Sequence, residues 1–154
     1  MGNSKIKGEI TELKVLGILL NELDNENYDI YRPIMDIKGI DLIIRKLINK
    51  TSYYLELQIK SRSLEAKYPY LFAGLKVEER DNYYFIFYTE INKEKMWLVP
   101  SSKIKSIGFQ NKTGKNKGKY TINNCQKDCN KYGVEMNKLS KKIDEIFEKL
   151  SGNM

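Results

Sequence analysis

The chain of 154 residues is long enough for one domain with a sizeable core, and its 41% hydrophobic and 31% charged residues are typical of a soluble globular protein. Its formal net charge of +7 favours a polyanionic partner, with nucleic acid as the first candidate. The sequence contains no histidine, which excludes serine–histidine and cysteine–histidine nucleophiles, histidine bases and histidine-ligated zinc. Hydrolytic chemistry would therefore depend on carboxylates, lysine and a hard cation such as Mg²⁺.

The sequence also indicates where the protein is found. No apolar run approaches the ~20 residues that a membrane span needs, and the N-terminus lacks the apolar segment of a secretory signal. The two cysteines, Cys125 and Cys129, do not have the spacing of a CxxC motif, and they are expected to be free thiols. We therefore expect a cytoplasmic protein without a membrane partner.

The first predicted element is a helix over residues 4–24, because apolar side chains recur at three- and four-residue steps between Ile10 and Leu23. Glu9 falls on the line of residues 9, 13, 16 and 20, beside the stripe that we expect to be buried. Glu12 lies on a neighbouring line. Either carboxylate could instead be a solvated acid at the helix start, where the helix dipole favours negative charge.

Three strands are predicted after this helix. The first covers residues 28–32 and ends at Pro33, which cannot donate to a sheet ladder. The second covers residues 40–48 and the third residues 53–62. A short polar turn separates them, which predicts an antiparallel hairpin.

Two different faces alternate along the third predicted strand. Leu55, Leu57 and Ile59 point to one side. The opposite side carries Tyr54, Glu56, Gln58, Lys60 and Arg62. Asp41 interrupts the apolar segment of the preceding strand, and a lone carboxylate is costly to bury. A solvated edge strand would explain the alternation but not Asp41, whereas a metal ion bound between the two strands would explain both.

The rest of the chain predicts shorter elements and one long helix. In order, they are a short helix at 71–77, strands at 83–89 and 96–99, a short helix from Pro100 to Ile107, a strand at 120–122, and a C-terminal helix at about 133–150. The loop at 110–119 is either a solvated hairpin or a phosphate-contacting loop. Its candidate nucleic-acid-binding residues are Lys112, Lys115, Lys117 and Lys119. This order predicts a single α/β domain over residues 1–154, with a mixed central β-sheet flanked by helices.

Three short segments carry a resemblance to a known family. They read GE at 8–9, GID at 39–41 and QIKSR at 58–62. In this order, on a helix and two strands, they resemble the PD-(D/E)xK nuclease superfamily, which has the restriction-endonuclease-like fold. Within it the chain is most similar to small single-domain QxK variants such as intron-encoded homing endonucleases, and more distantly to Holliday-junction resolvases. The segment MWLVP at 96–100 is also similar, so that the resemblance spans most of residues 5–107.

The resemblance implies a metal-dependent DNA endonuclease that hydrolyses phosphodiester bonds, either in a homing- or restriction-like manner or by resolving junctions. It implies that Glu9, Asp41 and Gln58 bind Mg²⁺, with Mn²⁺ able to substitute. It also implies that Lys60 is the catalytic lysine, so that these four residues form the expected catalytic site.

The chain departs from the family pattern at two positions. Ile40 stands where the family usually has proline, and Gln58 where it usually has an acid. The second change removes a negative charge and should weaken metal affinity. Glu56, on the same strand face, offers a compensating carboxylate, and Arg62 offers further support.

Gln58 keeps a second hypothesis open, a non-catalytic DNA-binding or regulatory protein on the same fold with a decayed active site. A third hypothesis is a partner-binding protein that does not contact nucleic acid. For a nuclease, cleavage of both strands needs two sites, and the small chain covers little more than one half-site. We therefore expect a homodimer or a higher homo-oligomer on DNA.

Overall fold

The computed structural model describes residues 2–35, 39–62 and 66–152. In this part of the chain, no helix has the length and apolar character needed to cross a membrane. The described residues form four α-helices, which are Gly2–Glu22 (α1), Ser101–Ile107 (α2), Cys125–Asp128 (α3) and Leu139–Leu150 (α4). Two 3-10 turns precede α4, at Asn130–Tyr132 and Met136–Lys138.

Nine β-strands lie in the same described ranges. They are Tyr28–Tyr31 (β1), Leu42–Ile48 (β2), Thr51–Arg62 (β3), Phe72–Leu75 (β4), Tyr83–Thr89 (β5), Lys95–Pro100 (β6), Phe109–Gln110 (β7), Tyr120–Ile122 (β8) and Gly133–Val134 (β9). Six form a central sheet in the order β1-β2-β3-β5-β6-β9, and three form a small sheet in the order β4-β8-β7. The pair β3–β5 is parallel and the other pairs of the central sheet are antiparallel. The predicted α/β architecture with a mixed sheet is confirmed.

The β2–β3 hairpin sets the relative positions of Asp41 and Gln58. Asn49 and Lys50 have φ angles of 50° and 66°, which is the left-handed conformation of a tight two-residue hairpin turn. The register pairs Leu42 with Leu57. Asp41, one residue before β2 begins, therefore lies at the position opposite Gln58. The antiparallel hairpin is as predicted, but its turn has two residues instead of the four between the predicted strands, so that β3 begins at Thr51 and the register is shifted.

Side-chain alternation on the central sheet divides the core into two layers. One face packs against α1 and α4, and its buried strand residues include Leu55, Leu57 and Ile59 of β3. The other face packs against the small sheet and α2, and its buried strand residues include Phe85 and Phe87 of β5. The polar side chains of β3 point toward this second layer, where β4 and β8 also lie.

Three predicted elements need correction. Residues 71–77 are not a helix, since β4 pairs with β8 there and Gly74 has a φ of 71°, outside the helical region. The predicted helix at 133–150 begins only at Leu139, because Gly133 and Val134 pair with β6. For the same reason the strand at 120–122 is not the last one.

The buried side of α1 also differs from the prediction. Val15 and Leu19 are fully buried, whereas Ile10, Leu13 and Leu20 are 49%, 50% and 53% exposed. Apolar residues occur on several sides of this helix, so that their spacing alone does not fix which side faces the sheet. The change of face decides which glutamate of α1 approaches the hairpin.

Candidate active site

A cleft of about 600 Å³ is lined by Gly8, Glu9 and Glu12 of α1 and by the residues directly before β2. Its lining combines carboxylates, an amide and cations from α1, the hairpin and the small sheet. The charged and amide-bearing residues that line it are Glu9, Glu12, Arg32, Asp41, Gln58, Lys60, Lys76 and Lys119. The structure thus brings together all four residues expected in the catalytic site.

Asp41 occupies the point where the hairpin ladder ends. Its backbone N–H donates to the Leu57 carbonyl at 2.8 Å, and its side-chain Oδ2 accepts a hydrogen bond from the Ile59 N–H at 2.6 Å. The carboxylate therefore continues the ladder beyond the first residue of β2. This bond gives Asp41 a structural reason to stand beside an apolar segment, in addition to any role in the cleft.

Gln58 is buried beside Asp41, with 4% of its surface exposed. Its side-chain Oε1 has no hydrogen-bond partner among the described residues. Gly39 packs closely against this amide: a Cβ added at Gly39 would lie 2.4 Å from Gln58 Nε2, and its φ of 78° also favours glycine. An unsatisfied buried acceptor is costly, so that a donor or a cation in the cleft would stabilise it.

Glu12 is the half-buried carboxylate of α1 in the cleft. Burial is the main cause that raises the pKa of the Glu12 carboxyl, and the negative charge of Asp41 raises it further. Arg32 opposes this shift, with its Nη2 3.8 Å from Glu12 Oε2. Glu9 lines the same cleft but is exposed. Glu12 is closer than Glu9 to the line of the buried residues Val15 and Leu19, which accounts for its deeper position.

Lys60 lies half-buried in the same cleft. Burial lowers the pKa of its ammonium group, and the charge of Asp41 acts in the opposite direction. Lys119 and Lys76 lower the pKa further because they are also positive. Asp41 is thus coupled electrostatically to both Glu12 and Lys60, so that these three charges respond to one another.

Three further cations surround the cleft. Lys119 was predicted from the basic loop, but Arg32 and Lys76 were not. Arg32 follows β1 directly and precedes Pro33, and Lys76 follows β4. The position of Lys76 depends on how the crossover from β3 to β5 folds back, and that of Arg32 on the pairing of β1 with β2, and neither long-range feature has a local sequence signal.

Other predicted residues lie outside the cleft lining. Lys112, Lys115 and Lys117 belong to the β7–β8 connection, which is an ordered turn: the Asn111 amide donates to the Lys119 carbonyl at 3.0 Å. Glu56 pairs with Arg80, with Oε2 and Nη1 2.5 Å apart.

Arg62 Nε donates to the Tyr68 carbonyl at 3.1 Å and so anchors the crossover. Neither Arg62 nor Glu56 lines the cleft: the contacts of each side chain join it to another part of the fold.

The described residues contain no group of three or more His, Cys, Asp or Glu side chains arranged to hold a metal ion. What the cleft offers instead is a mixed set of oxygen donors. Asp41 and Glu12 supply carboxylates, and Gln58 supplies a buried amide oxygen.

Comparison with known proteins gives no match, whether with protein-family profiles, with curated proteins or with solved structures.

Proposed function

We propose that the protein is a Mg²⁺-dependent DNA endonuclease of the PD-(D/E)xK type, in which Asp41, Gln58 and Lys60 form the catalytic centre. One observation carries this proposal. The cleft collects an aspartate directly before β2 and, on the paired strand β3, a lysine of lowered pKa and a buried amide oxygen without a partner among the described residues. Their order along the chain is that of the family pattern.

The donor set fits Mg²⁺, which takes oxygen ligands and usually keeps several waters, so that one or two carboxylates suffice. Asp41, Gln58 Oε1 and a glutamate of α1 would hold the ion. We propose Glu12 for this last position, beside Glu9, because Glu12 is half-buried and its pKa responds to Asp41. When bound, such an ion would stabilise charge on the scissile phosphate and lower the pKa of an attacking water.

Lys60 would act on the same phosphate. Its ammonium group can donate to a non-bridging phosphate oxygen or orient the attacking water. Partial burial strengthens that interaction because the surrounding dielectric is lower than in water. The attraction to Asp41 opposes the loss of its charge.

The substrate would be held by its phosphates. Arg32, Lys76 and Lys119 approach the cleft from three different parts of the chain, and cations so placed can follow a nucleic-acid backbone. DNA affinity should therefore fall steeply as salt concentration rises. A homodimer with two clefts would allow cleavage of both strands.

The topology is compatible with the restriction-endonuclease-like fold. Helix α1 is followed by three antiparallel strands, and β5 then joins β3 in parallel. The crossover between β3 and β5 carries the short strand β4 where the sequence predicted a helix.

A DNA-binding protein without catalysis is the alternative that Gln58 favours. An amide in place of an acid gives the ion one negative charge fewer. The same cations would then bind DNA, and no phosphodiester would be hydrolysed.

The test is cleavage of supercoiled plasmid and of a synthetic four-way junction with Mg²⁺ or Mn²⁺. Asp41→Asn keeps an oxygen for the Ile59 N–H and removes the charge, and Lys60→Met removes the ammonium group. Asp29→Asn and Lys105→Met are matched controls at exposed positions outside the cleft.

We expect the wild type and both controls to cut at similar rates, and the two cleft variants to cut at least about 10²-fold more slowly. Equal cutting by all five proteins would refute the proposed site. Salt-sensitive DNA binding without cleavage would favour the alternative.

A further inference from the structure

The segment that follows β1 presents two large apolar side chains to solvent at the edge of the cleft. Ile34 is fully exposed and Met35 is 74% exposed, more than any other large hydrophobic residue described. Both line the cleft, directly after Arg32 and Pro33. Adjacent exposed apolar side chains that are rimmed by the polar residues of a cleft form a candidate contact surface for whatever binds in that cleft.

The charged residues around Ile34 and Met35 indicate which class of partner binds there. The cleft carries the cations Arg32, Lys60, Lys76 and Lys119, against three carboxylates. A polyanion therefore approaches favourably, and its apolar parts must meet Ile34 and Met35. Nucleic acid has this combination, because its backbone is charged and its stacked bases present apolar faces.

We propose that Ile34 and Met35 form an apolar wedge that inserts between neighbouring bases of the DNA held in the cleft. Isoleucine, methionine and proline are residue types that proteins use to unstack a base step and bend the duplex. This inference rests on the part of the proposed function that places DNA in the cleft. The preferred substrate would then be DNA with a base step that opens easily, such as a mismatch or a branch point.

A second copy of the chain is the competing occupant. It would bring the same excess of cations to the contact, which disfavours pairing of two clefts. The oligomeric state of the wedge variant distinguishes this case.

The experiment compares the binding of two fluorescent duplexes that differ only in one mismatched base pair. Binding is measured by anisotropy in the Asp41→Asn background, where cleavage does not interfere. 2-Aminopurine beside the mismatch reports unstacking. The test variant is Ile34→Ser with Met35→Ser. Leu47→Ser, at a half-exposed apolar position of β2 outside the cleft lining, is the matched control.

We expect about tenfold tighter binding of the mismatched duplex, with a rise in 2-aminopurine fluorescence. Both should disappear in the double variant and remain in the Leu47→Ser control. Because all four residues of the expected catalytic site are intact in the wedge variant without Asp41→Asn, cleavage by that protein reports on the nuclease separately.

The inference is overturned if the double variant keeps the preference, if no preference exists, or if the protein does not bind DNA. It is also overturned if sedimentation shows that the double variant changes oligomeric state while its DNA preference is unchanged. Selective binding that needs both side chains, in a wild type that never cuts, would support the wedge and refute the nuclease.

Discussion

The polar face of β3 has two halves that differ in how their side chains are paired: Glu56 lies in the first half, and Gln58 and Lys60 lie in the second. In the first half, Glu56 is paired by charge with Arg80, with Oε2 and Nη1 2.5 Å apart, although Glu56 Oε2 and Arg80 Nε make no hydrogen bond among the described residues. The Arg80 guanidinium lies 4.8 Å from the centre of the Tyr83 ring. In the second half, Gln58 has a buried amide oxygen without a partner among the described residues, and Lys60 has a lowered pKa. Both halves point into the same layer of the protein.

The difference shows which polar residues stabilise the fold and which are placed for a ligand. A charge that meets an opposite charge at short range leaves little to gain from a ligand. A buried acceptor without a partner, such as Gln58 Oε1, and a cation beside other cations, such as Lys60, both gain much from a bound ligand. Such groups cluster at functional sites. The comparison predicts that substitutions in the first half change stability, whereas those in the second half change activity.

The largest expected effect is on catalysis. Lys60→Met should lower the cleavage rate by about 10²–10³-fold, because it removes a donor aimed at developing charge. Its free energy of unfolding should stay close to that of the wild type, since a partly desolvated cation is removed. Single-turnover cleavage and urea unfolding measure the two quantities. A large stability loss with intact cleavage would contradict the comparison.

Arg80→Met should have the reverse effect. It leaves Glu56, whose side chain is 20% exposed, without its cation, and we expect a stability loss of about 2 kcal/mol, between the values for surface and buried pairs. Cleavage should change little where the variant remains folded. The additional substitution Glu56→Gln should recover part of the lost stability, and failure to recover any would show that Arg80 acts through other contacts.

Gly39→Ala tests the packing around Gln58. The new Cβ would lie 2.4 Å from the Gln58 amide in addition to the unfavourable positive φ. Gly114→Ala is the control, because its φ is 79° and nothing lies within 4 Å of the new atom. We expect Gly114→Ala to cost about 1 kcal/mol and Gly39→Ala to cost more and to reduce cleavage. Equal losses in both would mean that Gln58 has room to move.

Glu12→Gln should produce the smallest effect, a gain of less than about 1 kcal/mol at neutral pH. The pKa of Glu12 is raised in the folded protein, so that its ionised form destabilises the fold above that pKa. As the pH falls through the folded pKa, Glu12 takes up a proton and the difference between variant and wild type should vanish. Urea unfolding across acidic and neutral pH measures it. A variant that is less stable at neutral pH would contradict this sign.

Much of this site was predictable from the sequence because strand alternation is strict. The opposite faces of Leu57 and Gln58 follow from a period of two, and the turn at Asn49 and Lys50 sets the register that places Asp41 opposite Gln58. The alternation and the antiparallel pairing are local features and were predicted correctly. The two-residue turn was not, because the predicted strands left four residues between them, and the register of the hairpin depends on that length.

The sequence-based predictions were wrong or incomplete where the local pattern of apolar residues is ambiguous, or where the structure depends on contacts between distant parts of the chain. Helix α1 carries apolar residues on several sides, and the face that is buried places Glu12 deeper than Glu9. Arg32 and Lys76 reach the cleft through the tertiary path of the chain. Residues 71–77 form β4 because of pairing with β8, which the isolated segment does not indicate.

The most direct test of the account is a calorimetric titration of Mg²⁺, repeated with Mn²⁺, into the wild type, Asp41→Asn and Gln58→Glu, with Asp29→Asn as the control. We predict that the wild type and the control bind alike, that Asp41→Asn loses at least about tenfold in affinity, and that Gln58→Glu binds more tightly because a carboxylate replaces the amide. Four identical titrations, or no binding of either ion by any of the proteins, would contradict the claim that this half of β3 forms a cation site.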